Sequence, residues 1–243
     1  NIFPRSEKVK CYQQLVVKNR EIFAQILSES TFKFREQLQT TAGKKGDTYN
    51  FYIDESRPYS EETHTTMVAP KSLYQPLYVL KNPDGSIKNH LEKAFLNRLD
   101  TENCVDWYWE NGTELMRINF GISYNGGMNT FQPDFLVRFK NHSIGIFDTK
   151  AMADRIEDTK LKAEALYSYI KRMNSTRGEY EPKVVGGIVI KVNSQFYVYN
   201  HEEYHDYQSD QSGWENLNDY LLKIEQDMEL VERTRKYLEN MKK

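Results

Sequence analysis

The chain has 243 residues, a formal net charge of −2 and 39 % hydrophobic residues, an ordinary composition for a globular protein. Its two cysteines, Cys11 and Cys104, are too few for a disulfide scaffold or a cysteine-based zinc site and favour a reducing, cytoplasmic setting. No apolar run is long enough to span a bilayer and no signal peptide is visible, so we expect no membrane partner. The chain begins with Asn rather than Met, and we expect a fragment or a processed product.

The first third of the chain combines one helical pattern with many turn signals. Apolar residues recur at helical spacing from Ser6 to about Leu27. Between residues 54 and 86, prolines and the sequence "NPDG" repeatedly interrupt the chain. We therefore predict an N-terminal helical extension or connector over residues 1–85 and a main domain over residues 86–243.

A regular helical pattern opens the main domain. Leu91, Phe95 and Leu99 recur on one helical face. Asn89, followed three residues later by Glu92, resembles a capping box, in which each side chain bonds to the backbone of the other residue. These residues predict a helix that carries an acid in its first turn.

Paired strands dominate the next part of the chain. The strands "CVDWYWE" and "ELMRINFGISY" flank Asn111-Gly112, a strong hairpin signal. The strands "DFLVRF" and "IGIFDT" follow, joined by a turn at Lys140–Ser143. A helix from about Asp154 precedes the strands "VVGGIVIKV" and "QFYVYN", and a last helix extends from Trp214 towards Lys243. This order predicts an α/β or α+β fold, with a mixed central sheet flanked by helices.

Two acids and a lysine are predicted to meet at one end of that sheet. Asp134 begins one strand and Asp148 ends the next, so a tight hairpin brings both to the same end. Lys150 lies two residues after Asp148 and therefore projects from the same face. Like charges so close repel and raise each other's pKa, and packing alone would not select such an arrangement.

A bound divalent cation would remove that repulsion. Mg²⁺ prefers a few carboxylate oxygens together with waters and a substrate phosphate, and we expect Mn²⁺ to substitute for it. The expected ligands are Asp134, Asp148 and the backbone carbonyl of Thr149. The metal would lower the pKa of a bound water and neutralise charge on a phosphodiester. Lys150 would orient or activate that water, or stabilise the pentacovalent phosphate, and the predicted chemistry is phosphodiester hydrolysis.

The sequences "QPDF" and "DTK", whose aspartates have thirteen residues between them, resemble the PD-(D/E)XK nuclease family. The sequence "PDFLVRFKNHSIGIFDTK" is most similar to the nuclease domain at the C-terminal end of type III restriction helicase subunits. The resemblance extends over about Ser86–Val192 and implies a restriction-endonuclease-like core. It also implies metal ligation by Asp134 and Asp148, catalysis by Lys150, and an auxiliary acid and further metal ligand at Glu92.

The same resemblance implies partners and shows two departures. The implied partners are double-stranded DNA, an ATP-dependent helicase region of the same polypeptide, and a modification methyltransferase subunit. Glu110 stands where such strands often carry a basic residue. On the later helix, Glu164 and Tyr167 lie near the positions of a Gln-x-x-x-Tyr element but not at its spacing.

Basic residues are concentrated around the predicted site. Between residues 138 and 172, eight Lys or Arg face five Asp or Glu, a local excess that a phosphate-binding surface requires. A charged helix face is, however, usually only solvated. The candidate DNA contacts are Arg155, Lys160, Lys162, Lys171 and Arg172.

Two other functions stay open on the sequence. One is a catalytically silent nuclease-fold module that binds DNA or serves in assembly. The other is a zinc peptidase, because "HEEYH" at His201–His205 matches the H-E-x-x-H pattern. The flanks of that motif predict a strand and a polar loop instead of the helix that zinc binding by both histidines requires.

Overall fold

The computed structural model describes residues 18–19, 22, 53, 59–111, 120–124, 129–152, 154, 156–178 and 181–227. Nearly all of these residues belong to one compact unit, Phe51–Tyr124 with Thr130–Lys243. The predicted helix from Ser6 to about Leu27 lies almost entirely outside the described residues. The described elements are β1 (His64–Met67), β2 (Leu77–Leu80), α1 (His90–Thr101), β3 (Val105–Glu110), β4 (Ile122–Tyr124), β5 (Asn129–Phe131), β6 (Phe135–Phe139), β7 (Ile144–Thr149), α2 (Ile156–Ser175), β8 (Val184–Val192), β9 (Gln195–Tyr199), β10 (Trp214–Asn216) and α3 (217–227).

A six-stranded mixed sheet, in the order β10-β9-β8-β7-β6-β3, organises the fold. Strands β7 and β8 are parallel, whereas the other described neighbours in this sheet are antiparallel. The helix α2 connects the two parallel strands, as a parallel pair requires a long crossover. The predicted class, a mixed sheet flanked by helices, is therefore confirmed. No helix among the described residues is both long and apolar enough to cross a bilayer.

The hairpin β6–β7 forms the centre of the sheet. Its turn lies where the sequence predicts it, and Asn141 accepts a hydrogen bond there from the backbone N–H of Ser143 at 2.9 Å. His142 adopts a positive φ of 69° in the same turn. Nearly every residue of β6 and β7 is buried, because helices cover both faces of these strands.

One core lies between the sheet and the helices α1 and α3. Phe95 of α1 is at its centre, with ring centroids 5.6 Å from those of Phe135, Phe147 and Phe196. Side chains from the β1–β2 hairpin, including Leu77, belong to the same core. Residues before position 86 thus pack with the main domain, and the division at that position stays a prediction.

A second core lies between α2 and a different set of sheet residues. Leu166 and Ile170 of α2 are buried with Ile146 of β7 and Ile188 of β8. Successive residues of β7 therefore serve different cores, since Ile146 belongs to this one and Phe147 to the first. That alternation is what a strand buried on both faces requires.

Two predicted strand assignments differ from the structure. The strand β3 pairs with β6, whereas β4 pairs with β5 in a separate two-stranded sheet; the expected hairpin of β3 with residues 114–124 is therefore wrong for its described part. Trp214–Asn216 begins no helix but forms β10, which pairs with β9. The tight turn expected at Asn111-Gly112 lies outside the described residues beyond Asn111.

Candidate active site

The register of the β6–β7 hairpin brings Asp134 and Asp148 together. Phe135 pairs with Phe147, so the next residues outward on the two strands are the two aspartates. One oxygen of Asp134, Oδ2, accepts hydrogen bonds from the backbone N–H and the hydroxyl of Thr149 at 2.6 and 2.5 Å. The predicted meeting of the two strand ends is therefore present in the structure.

Lys150 completes this cluster. Its Nζ lies 2.6 Å from Asp148 Oδ2, and the exposed fractions of the two side chains are 17 % and 3 %. The same ammonium donates a hydrogen bond to the backbone carbonyl of Thr149 at 3.2 Å. The backbone N–H of Lys150 donates to the carbonyl of Val189 at 2.8 Å. This bond continues the β7–β8 ladder and fixes the backbone position of the lysine.

Glu92 reaches the cluster from the first turn of α1. Burial raises the pKa of its carboxyl to about 7, and the charge of Asp134 adds to this rise, whereas Asn89 and Lys150 oppose it. The Asn89 side chain makes no cap bond to the helix backbone. Its Nδ2 donates instead to Glu92 Oε2 at 2.8 Å. The predicted capping box is therefore wrong, because the two side chains bond to each other.

Charges within the cluster affect each other strongly. Burial and then the charge of Asp134 raise the pKa of Asp148, while Lys150 and Lys162 oppose the rise. Burial alone would lower the pKa of Lys150, but the carboxylates of Asp148 and Asp134 outweigh it and raise that pKa. The raised pKa of Asp148 favours its neutral form, whereas the raised pKa of Lys150 reflects a charged carboxylate at Asp148. The 2.6 Å separation of Lys150 and Asp148 favours the charged pair.

The donor chemistry of the cluster suits a hard cation. Asp134, Asp148 and the Thr149 carbonyl offer oxygen atoms only, as Mg²⁺ requires, and Mg²⁺ commonly takes one or two protein carboxylates. In the conformation described, these oxygens accept bonds from Thr149 and Lys150. Across the part of the chain that the structure describes, no group of three or more His, Cys, Asp or Glu side chains is arranged to hold a metal. Glu92 thus does not complete a three-acid ligand set.

The predicted DNA contacts have partners within the protein. Three are in ion pairs, at 3.8 Å for Lys160 with Glu164, 2.6 Å for Lys162 with Asp158 and 3.4 Å for Lys171 with Glu202. The guanidinium of Arg172 lies 5.5 Å from the centre of the Tyr169 ring. Arg155 lies outside the described residues, and a role of this helix in DNA contact stays a prediction.

Among the predicted DNA contacts, Lys162 stands out because its charge acts on Asp148. It lowers the pKa of Asp148, and its side chain is only 20 % exposed. Asp158, its partner, also accepts a hydrogen bond from the Tyr124 hydroxyl at 3.2 Å. The sequence identified Lys162 only as one of several surface charges. Lys160 lies in the same second turn of α2, so the sequence carried no signal that distinguishes Lys162.

The residues of the "HEEYH" motif form no helix. Residues 201–206 are irregular, and His205 Nδ1 lies 3.3 Å from Asp210 Oδ2. The ring of His201 packs on that of Tyr199 at a centroid distance of 5.6 Å. Two histidines separated by a loop cannot present their rings from one helical face, so the geometry gives no support to a zinc peptidase.

The fold and the cluster define an α/β protein with two acids and a lysine at one end of a central hairpin. No family model, curated protein or solved structure matches the chain.

Proposed function

We propose that this chain is a divalent-metal-dependent DNA endonuclease domain that hydrolyses phosphodiester bonds. The observation that carries the proposal is the convergence of Asp134, Asp148 and Lys150 at the end of one hairpin. Placing the buried carboxylate of Asp148 beside the half-buried carboxylate of Asp134 costs free energy. A fold retains such a cluster most readily where the charges serve chemistry, and perturbed pKa values in one place favour the same interpretation.

The residues of the cluster take distinct roles in this proposal. Asp134 and Asp148 would hold Mg²⁺, which when bound supplies charge neutralisation at the phosphate and a more acidic water. Lys150 keeps its proton at neutral pH, because the neighbouring carboxylates raise its pKa. It therefore stabilises negative charge on the phosphate and does not act as a base. Glu92, with a pKa of about 7, accepts or releases a proton near neutral pH.

The finer parts of the proposal rest on the sequence resemblance. They are a restriction-endonuclease-like core and a role as the cleavage module of a type III restriction helicase in the cytoplasm. The proposed partners are double-stranded DNA, a helicase region of the same polypeptide and a methyltransferase subunit. Within such an assembly, the motor and the modification subunit would supply the target choice.

The test is metal-dependent cleavage of double-stranded DNA by the full chain, alone and within the assembled restriction complex. We expect Asp148→Ala and Lys150→Ala each to reduce the rate by about 100-fold or more, as loss of a charge-stabilising group does. The matched control is Asp106→Ala, which removes an exposed acid from β3 and should leave the rate unchanged. Full activity in both site variants would refute the proposal.

A silent DNA-binding or assembly module is the second candidate. It is favoured because the charged groups of the cluster are already bonded within the protein. Lys150 pairs with Asp148, and Thr149 donates hydrogen bonds to Asp134. Calorimetric titration with Mn²⁺ separates the two functions. If the chain is a nuclease, the wild type binds Mn²⁺ and Asp134→Ala does not. If the chain is a silent module, neither the wild type nor Asp134→Ala gives heat with Mn²⁺.

A further inference from the structure

Asn111 is a fully buried polar residue at the end of β3, with 0 % of its surface exposed. Its Nδ2 donates hydrogen bonds to the backbone carbonyls of Phe120 and Pro133, both at 2.7 Å. Its Oδ1 accepts a bond from the backbone N–H of Phe120 at 2.9 Å. An asparagine side chain has two donor hydrogens and one carbonyl oxygen, so every polar atom of this side chain is used.

The backbone of Asn111 contacts the same segment. Its N–H donates to the carbonyl of Asp134 at 2.8 Å, one residue beyond the last registered pair of β3 and β6, Glu110 with Phe135. Pro133 and Asp134 are thus both bonded to one residue. Pro133 has no N–H of its own to donate to a neighbouring strand, so its carbonyl is the backbone group through which it is held.

Asp134 is consequently fixed from two sides. Asn111 holds its backbone from β3, and Thr149 holds its carboxylate from the end of β7. One bond from Asn111 to the Asp134 carbonyl, a second from Asn111 to the preceding Pro133 and two from Thr149 to the carboxylate leave the acid little freedom to rotate or shift. A displacement of about 1 Å at such a site costs much of the rate.

We propose that Asn111 is the positioning residue that sets Asp134 for metal binding, an inference that rests on the proposed function. Asn111 itself touches neither metal nor DNA in this role. Its substitution should weaken the affinity for Mn²⁺ and leave the chemistry at saturating Mn²⁺ largely intact. A purely structural asparagine would lower the melting temperature without a specific effect on the metal.

A second asparagine provides a matched control. Asn174 Nδ2 donates to the carbonyl of Val184 at 2.7 Å, and Asn174 Oδ1 accepts from the N–H of the same residue at 2.8 Å. Asn111 holds Phe120 by the same pair of bonds. Val184 pairs with Ile144 at the start of β7, whereas the acids lie at its far end, where Thr149 pairs with Val189.

The experiment compares Asn111→Ser with Asn174→Ser in the full chain. Calorimetry gives the Kd for Mn²⁺, and cleavage assays give the Mn²⁺ concentration for half-maximal rate. We expect Asn111→Ser to raise both by about tenfold or more, with the rate recovered at high Mn²⁺, and Asn174→Ser to change them less than twofold. Should Asn111→Ser fail to fold, Asn111→Thr, which keeps a side-chain donor and the backbone bond, replaces it.

The outcomes separate the inference from the function on which it rests. If the wild type binds Mn²⁺ and Asp134→Ala does not, an unchanged Kd in Asn111→Ser overturns the inference alone. An equal loss of affinity in Asn174→Ser at a similar melting temperature overturns it as well. If the wild type binds no Mn²⁺ and cuts no DNA, both the inference and the proposed function fail.

Discussion

Thr149 donates both its backbone N–H and its hydroxyl to a single oxygen of Asp134, at 2.6 and 2.5 Å. Hydrogen bonds to a carboxylate are stronger than those between neutral groups. The sequence indicated Thr149 only through its carbonyl, as a possible metal ligand. The structure gives its hydroxyl a separate task, which is to orient the acid at the start of the neighbouring strand.

Replacing Thr149 with Val should therefore destabilise the protein and weaken metal binding. Valine keeps the shape and the backbone bond but removes the hydroxyl, which leaves the half-buried carboxylate of Asp134 one donor short. We expect a loss of about 1–3 kcal/mol in the free energy of unfolding, measured by urea denaturation.

Thr149→Ser serves as the control for that experiment, because serine retains the hydroxyl and loses only a methyl group. It should keep most of the Mn²⁺ affinity that Thr149→Val loses. If valine and serine behaved alike in both stability and metal affinity, the hydroxyl bond would have no role in orienting Asp134.

Stability should depend on pH through Glu92. Its pKa is raised from 4.5 to about 7 in the folded protein, so between these values the folded chain holds a proton that the unfolded chain has released. This contribution is fully present below about pH 4.5 and is lost as the pH rises through 7. The loss amounts to about 3 kcal/mol in the free energy of unfolding.

Comparison with Glu92→Gln isolates this effect, because glutamine cannot titrate and Asp148, whose pKa is also raised, is present in both proteins. The measurement is urea denaturation at pH 5, 6, 7 and 8. We expect the wild type to lose stability relative to Glu92→Gln across this series. Parallel curves would show that Glu92 is not held neutral by its surroundings.

The sequence predicted the central hairpin well, for physical reasons that are local. A short polar turn between two apolar runs fixes the register of β6 and β7, and the register alone brings Asp134 to Asp148. The helix α1 could be predicted equally well from the sequence, since Leu91, Phe95 and Leu99 lie at helical spacing.

Contacts between elements distant in sequence could not be predicted from local patterns. The role of Asn111 was hidden, because Asn-Gly is also the commonest signal for a two-residue turn. Its bonds to Phe120 and Pro133 depend on the pairing of β3 with β6, which no local pattern specifies. Similarly, Asn89 and Glu92 have the spacing of a capping box, but the burial of Glu92 beside Asp134 gives their side chains other partners.

Lys162 should set the acidic limb of the cleavage pH profile. Its charge lowers the pKa of Asp148, so Lys162→Met should raise that pKa. Asp148 then becomes protonated at a higher pH, and the rate should begin to fall at a higher pH than in the wild type. The measurement is the rate of metal-dependent DNA cleavage between pH 5 and 9.

The control for this profile is Lys160→Met on the same helix. Lys160 Nζ lies 3.8 Å from Glu164 Oε1 in an ion pair whose side chains are 49 % and 32 % exposed, so its charge is more strongly screened by solvent than that of Lys162. Its removal should leave the acidic limb unchanged. An equal displacement in both variants would indicate a general effect of helix charge and no specific role for Lys162.

The approach of β7 to β8 should depend on Gly186. This residue pairs with Ile146 and has a φ of +125°, and a Cβ there would lie 1.9 Å from the carbonyl oxygen of Ile146. Because backbone atoms cannot move aside cheaply, Gly186→Ala should separate the strands near the acids or prevent folding. Gly85→Ala separates the two causes, since Gly85 also has a positive φ, +83°, but nothing lies within 4 Å of its Cβ position. We expect about 1–2 kcal/mol from the left-handed backbone at Gly85 and a clearly larger loss at Gly186, both measured by urea denaturation. Equal losses would mean that only φ matters and that the two strands can adjust to a methyl group between them.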